Sequence, residues 1–380
     1  MEVYFDNSAT TKPYREVIDE VVYGMENFYG NPSSLHALGI KAEKELTKAR
    51  KIIGEEIKGT GEEIYFISGA SEGNNLVFKG IARSGQHIIT TKFEHQSILK
   101  TCEFLEKEGV SITYLNVDNE GKISLEELKN AITKNTVLVS IMFVNNEMGA
   151  IQDLEKIGNI IKENSTRAKF HVDAVQGYGK FKIDVKKMKI DILTTTGHKF
   201  HGPKGTGFIY IRKGININSL IHGGEQENSL RAGTQNIAGI LGLKKAAEIV
   251  SKNIEINYKK VFELKKYMIE KISEIEDIRI NSPLETTSPY ILNISFNGVR
   301  AEVLLHYLEG EGIYVSTGSA CTSKSSGVNG SYVIKALGLC EKEVNGAIRF
   351  SFSENNTKEE VDYTIDVLKK GLKFLRRVKK

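Results

Sequence analysis

Short apolar runs alternate with amphipathic segments through the first two-thirds of the chain. Runs rich in β-branched residues are typical of buried strands, and they occur at residues 64–67, 87–90, 112–115, 137–142, 169–172, 190–195 and 208–211. Between them, apolar positions recur at helical spacing and predict helices near 70–82, 97–108, 125–131 and 154–163. This alternation predicts an α/β domain with a mostly parallel sheet covered by helices on both faces.

The pattern changes from about residue 248 onward. A long amphipathic stretch, 258–275, is followed by strands at 291–296 and 348–352 and by helices at 301–308 and 358–375. This order predicts a smaller α+β domain, joined to the first by a long helix. We therefore predict a large domain of residues 14–255 and a small domain of residues 1–13 and 256–380.

Polar side chains follow several predicted strands directly, and ligands of parallel sheets gather at that edge. Lys199 comes just after the run 190–195, two residues past Gly197, where an amine can form a Schiff base with an aldehyde cofactor. Asp173 ends the run 169–172 and suits a pyridinium nitrogen as counter-ion. Lys199 alone is more typical of a solvated charge in a glycine-rich loop. Together with Asp173 it indicates pyridoxal 5′-phosphate (PLP).

A phosphate site is predicted where the segment Ser68-Gly69-Ala70-Ser71 joins a strand to a helix. The N–H groups of the first helical turn and the Ser71 hydroxyl can hold a phosphate there. The alternative is a plain helix cap made by Ser68 or Ser71. Thr196 can add a second hydroxyl at the same edge, or it is an ordinary strand residue.

Two further side chains have both a functional and a structural interpretation. His95 starts a predicted helix; its imidazole can stack on the cofactor ring and move protons, or it caps the helix. Arg349 lies mid-strand in an apolar run and requires a carboxylate partner. That carboxylate belongs either to the protein or to an amino-acid substrate.

Composition narrows the possible classes of protein. The 380 residues are 40% hydrophobic and 26% charged with a net charge of +4, and no block of like charges suggests nucleic-acid binding. No apolar run is long enough for a membrane span, and the first residues do not resemble a signal peptide, so we expect a cytoplasmic protein. Three cysteines argue against a disulfide framework, and no metal site is predicted.

The three cysteines differ in their surroundings. Cys321 lies among small polar residues, Ser316 to Gly327, a composition typical of an exposed loop in which a thiol is open to chemistry. A passive surface thiol is the alternative. Cys102 lies on an amphipathic helix and Cys340 follows an apolar stretch, so we expect both to be packed and inert.

Several motifs together resemble those of the cysteine desulfurases, the NifS/IscS-like group within the class V aminotransferase family. The resemblance runs nearly from end to end. Its motifs are Tyr4-Phe5-Asp6-Asn7-Ser8-Ala9-Thr10-Thr11, Phe28-Tyr29-Gly30-Asn31-Pro32-Ser33-Ser34, Val144-Asn145-Asn146-Glu147-Met148-Gly149, His171-Val172-Asp173-Ala174, Gly197-His198-Lys199, Arg231-Ala232-Gly233-Thr234 and Gly318-Ser319-Ala320-Cys321-Thr322-Ser323. The last is similar to the cysteine loop that marks this group.

The resemblance implies a PLP-dependent, fold type I enzyme and a role for each matching residue. Lys199 would bind PLP covalently, Asp173 would pair with the ring nitrogen, Gln176 with the ring hydroxyl oxygen, and His95 would stack on the ring. Ala70, Ser71, Thr196 and His198 would line the phosphate, with Thr234 reaching it from the partner subunit. Asn146 would hold cofactor and substrate, and Arg349 the substrate carboxylate. Cys321, in the small domain, would become a persulfide and could contact a cluster transiently.

The implied reaction converts L-cysteine to L-alanine and passes sulfur through Cys321 to an acceptor. The resemblance implies a homodimer and a sulfur-acceptor protein, either a scaffold for iron–sulfur cluster assembly or a tRNA-thiolation enzyme. Selenocysteine lyase or ordinary class V aminotransferase activity is an alternative with the same cofactor. A PLP-binding adaptor without activity is a more distant one. Direct nucleic-acid or membrane binding is not expected.

Overall fold

A seven-stranded sheet forms the centre of the computed structural model, which describes residues 1–317 and 331–378. The strands described are β1 (Val3–Tyr4), β2 (Ile64–Ile67), β3 (His87–Thr91), β4 (Ser111–Leu115), β5 (Thr136–Met142), β6 (Lys169–Asp173), β7 (Ile192–Thr196), β8 (Gly207–Ile211), β9 (Ile278–Ile280), β10 (Ile291–Phe296), β11 (Ile313–Tyr314) and β12 (Ala347–Ser351). The large sheet has the order β2-β8-β7-β6-β5-β3-β4.

Strands β4, β3, β5, β6 and β7 of this sheet are parallel, and β8 runs antiparallel to both of its neighbours, β7 and β2. Parallel strands are buried on both faces, which fits the mostly apolar sequence of β5 and the complete burial of β5 and β7. The mostly parallel sheet predicted from the sequence is confirmed. The reversal at β8 gives no signal in the hydrophobic pattern.

Helices cover both faces of the large sheet, and others pack on the smaller sheet. The helices described are α1 (Arg15–Asn27), α2 (Ala37–Glu56), α3 (Ala70–Ile81), α4 (Gln96–Lys107), α5 (Leu125–Ala131), α6 (Leu154–Asn164), α7 (Ile237–Ile272), α8 (Ala301–Gly310), α9 (Tyr332–Ala336), α10 (Glu341–Asn345) and α11 (Lys358–Val378). Helices α3 and α4 pack on one face, where Phe78 and Ile98 join a cluster with Ile192. On the other face Leu193 joins a cluster with residues of α2, α6 and the first half of α7.

A separate core gathers the chain's two ends. Val3 and Phe5 pack in one cluster with residues of the second half of α7, β10, β12, α8 and α11. Strand β10 pairs antiparallel with β12 and β9, and β1 pairs parallel with β11. The first residues of the chain therefore belong to the same packed unit as the last third.

Helix α7 differs from its prediction. Its amphipathic pattern predicts a helix beginning near 258, but the helix begins at Ile237 and continues to Ile272 as a single element. Its first half is buried in one core and its second half in another, so the apolar face changes along its length and no single window shows it whole. No helix within residues 1–317 and 331–378 is long and apolar enough to cross a membrane.

Candidate active site

The parallel strands bring their carboxyl ends to one edge of the large sheet, and a cavity of about 640 Å³ opens there. Asp173 ends β6, and Thr196 ends β7 beside it. Most of the side chains predicted from the sequence line this cavity: Ala70, Ser71, His95, Asn146, Asp173, Gln176, Thr196, His198, Lys199 and Arg349. Residues far apart in sequence therefore meet at the edge at which ligands of α/β sheets bind.

Lys199 ends a short 3₁₀ turn, Gly197–Lys199, directly after β7. Its Nζ donates to the backbone oxygens of Ser8 (2.5 Å) and Ala9 (2.9 Å). The N-terminal segment thus holds the lysine amine at the cavity wall. These carbonyl partners cannot be read from side-chain patterns, so the sequence analysis missed the role of Ser8.

Asp173 is buried and accepts two hydrogen bonds, from the Asn74 Nδ2 (2.9 Å) and the Val175 N–H (3.0 Å). Asn74 also donates to the Ser97 Oγ at 2.9 Å, and Ser97 contacts the Nδ1 of His95 at 2.9 Å. A continuous hydrogen-bonded chain therefore connects Asp173 to His95. The sequence analysis missed Asn74, although a polar residue on the buried face of α3 was the available signal.

His95 caps α4 and also lines the cavity, so both of its interpretations are correct in part. Its Nδ1 accepts from the Ser97 N–H at 3.1 Å, which leaves the proton of the neutral ring on Nε2. Desolvation lowers the pKa of His95, and the charge of Lys199 lowers it further, while Asp173 opposes the shift. The ring is therefore neutral at pH 7 and presents a donor to the cavity.

The phosphate cradle predicted from the sequence lies at the first turn of α3. Gly69 is the N-cap and no side chain caps the helix, so neither Ser68 nor Ser71 acts as a cap. Ser68 instead donates from its backbone N–H and its hydroxyl to Glu72 Oε2 (2.9 and 2.5 Å), and Arg231 Nε donates to Glu72 Oε1 (2.9 Å). The first-turn N–H groups without a side-chain cap suit an anion.

His198 and Thr196 form the opposite wall of this cradle. The Thr196 hydroxyl donates to the Thr206 backbone oxygen at 3.1 Å. His198 Nδ1 contacts the Thr10 hydroxyl at 3.2 Å, and desolvation together with Lys199 and Lys204 lowers the pKa of His198 to about 4. Lys204 is exposed and also lines the cavity, a cation that the sequence analysis missed.

Arg349 is buried in β12, and its guanidinium reaches the cavity. Nη2 donates to the Asp6 carboxylate at 2.7 Å and Nη1 to the Asn146 backbone oxygen at 2.9 Å. The expected protein carboxylate is therefore present, in Asp6. The Nε of Arg349 and the Oδ1 of Asn146 are buried without a hydrogen-bond partner, so groups suited to a ligand remain beside that ion pair.

Two buried glutamates lie directly beside site residues. Burial raises the pKa of Glu94 to about 8, and its Oε1 accepts from the Thr91 hydroxyl and the Met142 N–H. Burial raises the pKa of Glu147 to about 7, and its carboxylate accepts from the Ser331 hydroxyl. Glu94 directly precedes His95, and Glu147 directly follows Asn146. The hydrogen bonds of each glutamate therefore help to fix the backbone at a site residue.

Thr234 is exposed and does not line the cavity of its own subunit. Cys321 and the rest of 318–330 lie outside the described residues. Cys102 is fully buried as expected, and burial raises the pKa of its thiol. Cys340, however, is exposed at the N-cap of α10, so the prediction that it is packed is wrong; burial ends at Leu337, and the chain turns at Gly338 before it reaches the cysteine.

Comparison with known proteins agrees with this geometry. A model of the family "Aminotransferase class-V" matches residues 3–364. The cysteine desulfurase IscS of Clostridium botulinum is 44% identical over 384 residues, which cover 99% of this chain and 96% of the relative. The chain belongs to the cysteine desulfurases of the class V aminotransferase family.

Other members of the family are similarly close. The cysteine desulfurase IscS of Methanosarcina thermophila is 42% identical over 99% of this chain and 93% of the relative. A solved structure named NifS-like protein superposes with a TM-score of 0.92 at 38% identity, covering 98% of this chain and 100% of that one. The apo cysteine desulfurase from Thermococcus onnurineus NA1 superposes with a TM-score of 0.87 at 28% identity over 98% of this chain and 95% of its own.

PLP is the cofactor of this class V aminotransferase, and the cavity fits it. Lys199 supplies an amine, Asp173 a buried carboxylate, and the first turn of α3 an uncapped helix start, which are the three groups that an aldehyde, a pyridine nitrogen and a phosphate require. The unpartnered Asn146 Oδ1 and Arg349 Nε show that the pocket's polar groups are not all satisfied by the protein alone.

Proposed function

We propose that this desulfurase converts L-cysteine to L-alanine and transfers the sulfur atom to Cys321, from which it passes to an acceptor protein. The observation that carries the proposal is the convergence of Lys199, Asp173 and Arg349 on one cavity. Family membership supports the sulfur chemistry, and the sequence Gly318-Ser319-Ala320-Cys321-Thr322-Ser323 supports the choice of thiol.

PLP, when bound, withdraws electrons from the amino acid so that its α-proton becomes acidic. Asp173 supplies the negative charge that keeps the ring nitrogen protonated, and its position is fixed by Asn74 and Val175. Lys199 takes the α-proton at Nζ, because the Nδ1 of His95 is already engaged by Ser97. His95 covers the cofactor ring and donates from Nε2.

Arg349 binds the substrate carboxylate through those N–H groups that do not take part in its bonds to Asp6 and Asn146. The guanidinium carries five N–H groups, so binding Asp6 does not exhaust it. The Asp6 ion pair holds the planar group in one orientation and reduces the entropy lost when substrate binds. Asn146, whose backbone oxygen accepts from the guanidinium of Arg349, lines the same cavity and would help to hold cofactor and substrate there.

The sulfur step balances without an external oxidant. The Cys321 thiolate attacks the substrate sulfur, the bond between that sulfur and Cβ breaks, and the electron pair of that bond stays with the three-carbon fragment. Protonation of the fragment gives alanine, and the enzyme keeps a persulfide. A scaffold for iron–sulfur cluster assembly or a tRNA-thiolation enzyme then accepts the sulfur.

We propose that two copies of the chain form a homodimer. Large apolar side chains are exposed along α1 and the start of α2, among them Tyr23 (51%), Met25 (65%) and Leu35 (94%). Such a patch suits a protein interface. In the dimer, the exposed Thr234 reaches the phosphate site of the partner subunit. The division into domains 14–255 and 1–13 with 256–380 is supported by the separate cores on the two halves of α7.

The test is incubation of the purified protein with L-cysteine, with and without a thiol reductant, and measurement of alanine and sulfide. We expect equimolar alanine and sulfide over many turnovers with the reductant, and slower alanine release after the first turnover without it, because the thiol of the substrate alone is then left to discharge the persulfide. Formation of pyruvate or transfer of the amino group, without sulfide, would reject the proposal in favour of an ordinary aminotransferase.

A further inference from the structure

Lys180 is a buried lysine that lies next to the candidate site, on the side of the protein interior. It is 7% exposed, and its Nζ donates to the Oε1 of Gln176 at 2.9 Å. Gln176 lines the cavity and is 2% exposed. The lysine therefore contacts the wall of the cofactor cavity on the side that faces the protein interior.

The local backbone directs Lys180 inward. After β6 the chain forms a helical turn, with the Tyr178 N–H bonded to the Ala174 oxygen and the Phe181 N–H to the Gly177 oxygen. Residues four apart lie on the same side of such a turn, as Gln176 and Lys180 do. Gly177 permits the close packing of this turn, because a Cβ there would lie 2.2 Å from the Phe143 ring.

The surroundings of Lys180 are unfavourable for an ammonium. Desolvation, together with the nearby charges of Lys199 and Arg349, lowers its pKa to about 7, and Glu354 partly compensates. The Tyr290 ring lies 5.4 Å from Nζ. A buried lysine with so few acceptors contributes little to folding, which favours a role in the site.

The Gln176 amide has one orientation because its two ends meet different partners. The Nζ of Lys180 donates to Oε1, and Nε2 donates at 2.9 Å to the Ser8 backbone oxygen, which can only accept. One N–H of Nε2 remains for the cavity. An inverted amide would present its oxygen there and would repel an anionic oxygen of a ligand.

We propose that Lys180 is a positioning residue that orients the Gln176 amide so that an N–H faces the ring hydroxyl oxygen of PLP. The inference rests on the proposed contact between Gln176 and that oxygen. It assigns Lys180 an effect on cofactor binding that is transmitted through Gln176 rather than exerted by its own charge.

The test is a double-mutant cycle in which the Kd for PLP is measured on apoprotein reconstituted with increasing cofactor. Lys180→Met should weaken PLP binding about tenfold, because Oε1 of Gln176 loses its partner and the amide, then held by the Ser8 oxygen alone, directs its free N–H less well toward the cofactor. Gln176→Ala should weaken it by at least as much. In the Gln176→Ala protein, Lys180→Met should have no further effect, because its target is gone.

A matched control is Lys265→Met. Lys265 is equally buried, its pKa is also lowered to about 7, and it donates to Thr287 and Ser288 away from the cavity. Its replacement should leave the Kd for PLP within twofold of wild type. If Lys180→Met does not fold, Lys180→Gln replaces it in the same cycle and is judged by the same criteria.

Two results would overturn the inference: an unchanged Kd in the Lys180 variant, or effects of the two substitutions that simply multiply. The second would mean that Lys180 acts by its own charge. Failure of the proposed function would give a different result. Wild-type protein would then lack the visible absorbance of lysine-bound PLP or would release no alanine from cysteine.

Discussion

Replacing Asp173 by asparagine tests the central electrostatic element of the site. The change is isosteric, so the side chain keeps its place while one acceptor oxygen becomes a donor. The remaining oxygen can still accept from the Val175 N–H, and Asn74 can invert its amide because its Oδ1 has no partner. That inversion sacrifices the bond to Ser97, so we expect a loss of about 1 kcal/mol in stability.

The effect on turnover should be much larger. Opposite charges about 3 Å apart interact by about 5 kcal/mol at an effective dielectric constant near 20. If about 3 kcal/mol of this is realised in the transition state, loss of the charge slows alanine formation about a hundredfold. The assay is alanine release from excess L-cysteine with a thiol reductant, at equal PLP content. Turnover within about threefold of wild type would refute the electron-withdrawing role of the protonated ring.

Asp191→Asn is the matched control for Asp173→Asn. Asp191 is also a buried aspartate; it immediately precedes β7, at the end of the strand opposite the cavity, and binds Lys162 (2.5 Å) and Arg212 (2.8 Å). Breaking this network should lower the free energy of unfolding by up to about 3–5 kcal/mol. Turnover per folded molecule should remain near wild type. The two variants therefore separate stability from catalysis.

The remaining predictions concern the lysine, the thiols and a buried carboxyl group. Lys199→Ala should lack the visible absorbance of lysine-bound PLP; an unchanged band would disprove the assignment. Cys321→Ser should bind PLP and cysteine but release almost no alanine, whereas Cys102→Ser and Cys340→Ser should keep most activity; a persulfide mapped by mass spectrometry to either of those two would contradict the mechanism. The pKa of Glu94 is about 8 when folded and 4.5 in its ordinary state, so between these pH values the carboxyl takes up a proton on folding; its stabilisation is full below pH 4.5 and is lost as pH rises through 8. Glu94→Gln should therefore lose less stability than wild type between pH 6 and 8 in urea titrations, and equal losses would refute the burial argument.

Much of the sheet follows from hydrophobic periodicity alone. The strands β2 and β10 begin and end at the predicted residues, and α5 does as well. The two strands are largely buried, and α5 is a short helix that keeps one period along its whole length. Helix α7 was predicted only in part, because its two halves pack against different cores and its apolar face shifts between them.

The site is predictable only where function depends on residue type. A lysine or an aspartate at the end of a predicted strand can be recognised in the sequence as a candidate for chemistry. Both Lys199 and Asp173 line the cavity. Asn74 and Lys180 act on other side chains across the fold, so only the three-dimensional arrangement reveals them. Ser8 acts through its backbone oxygen, a group that every residue type has, so the identity of the residue does not indicate this role.

The dependence of the cavity on both ends of the chain also constrains its biosynthesis. Asp6 holds Arg349 across 343 positions of sequence, and the Asn7 amide donates to the Ser351 backbone oxygen at 3.0 Å. During translation, the N-terminal strand β1 can pair with β11, but the contacts of Asp6 and Asn7 form only once β12 has been made. The central sheet can form earlier, since domains fold as units as they emerge. The cavity is therefore completed late, and a nascent chain that stops before β12 carries Lys199 without Arg349.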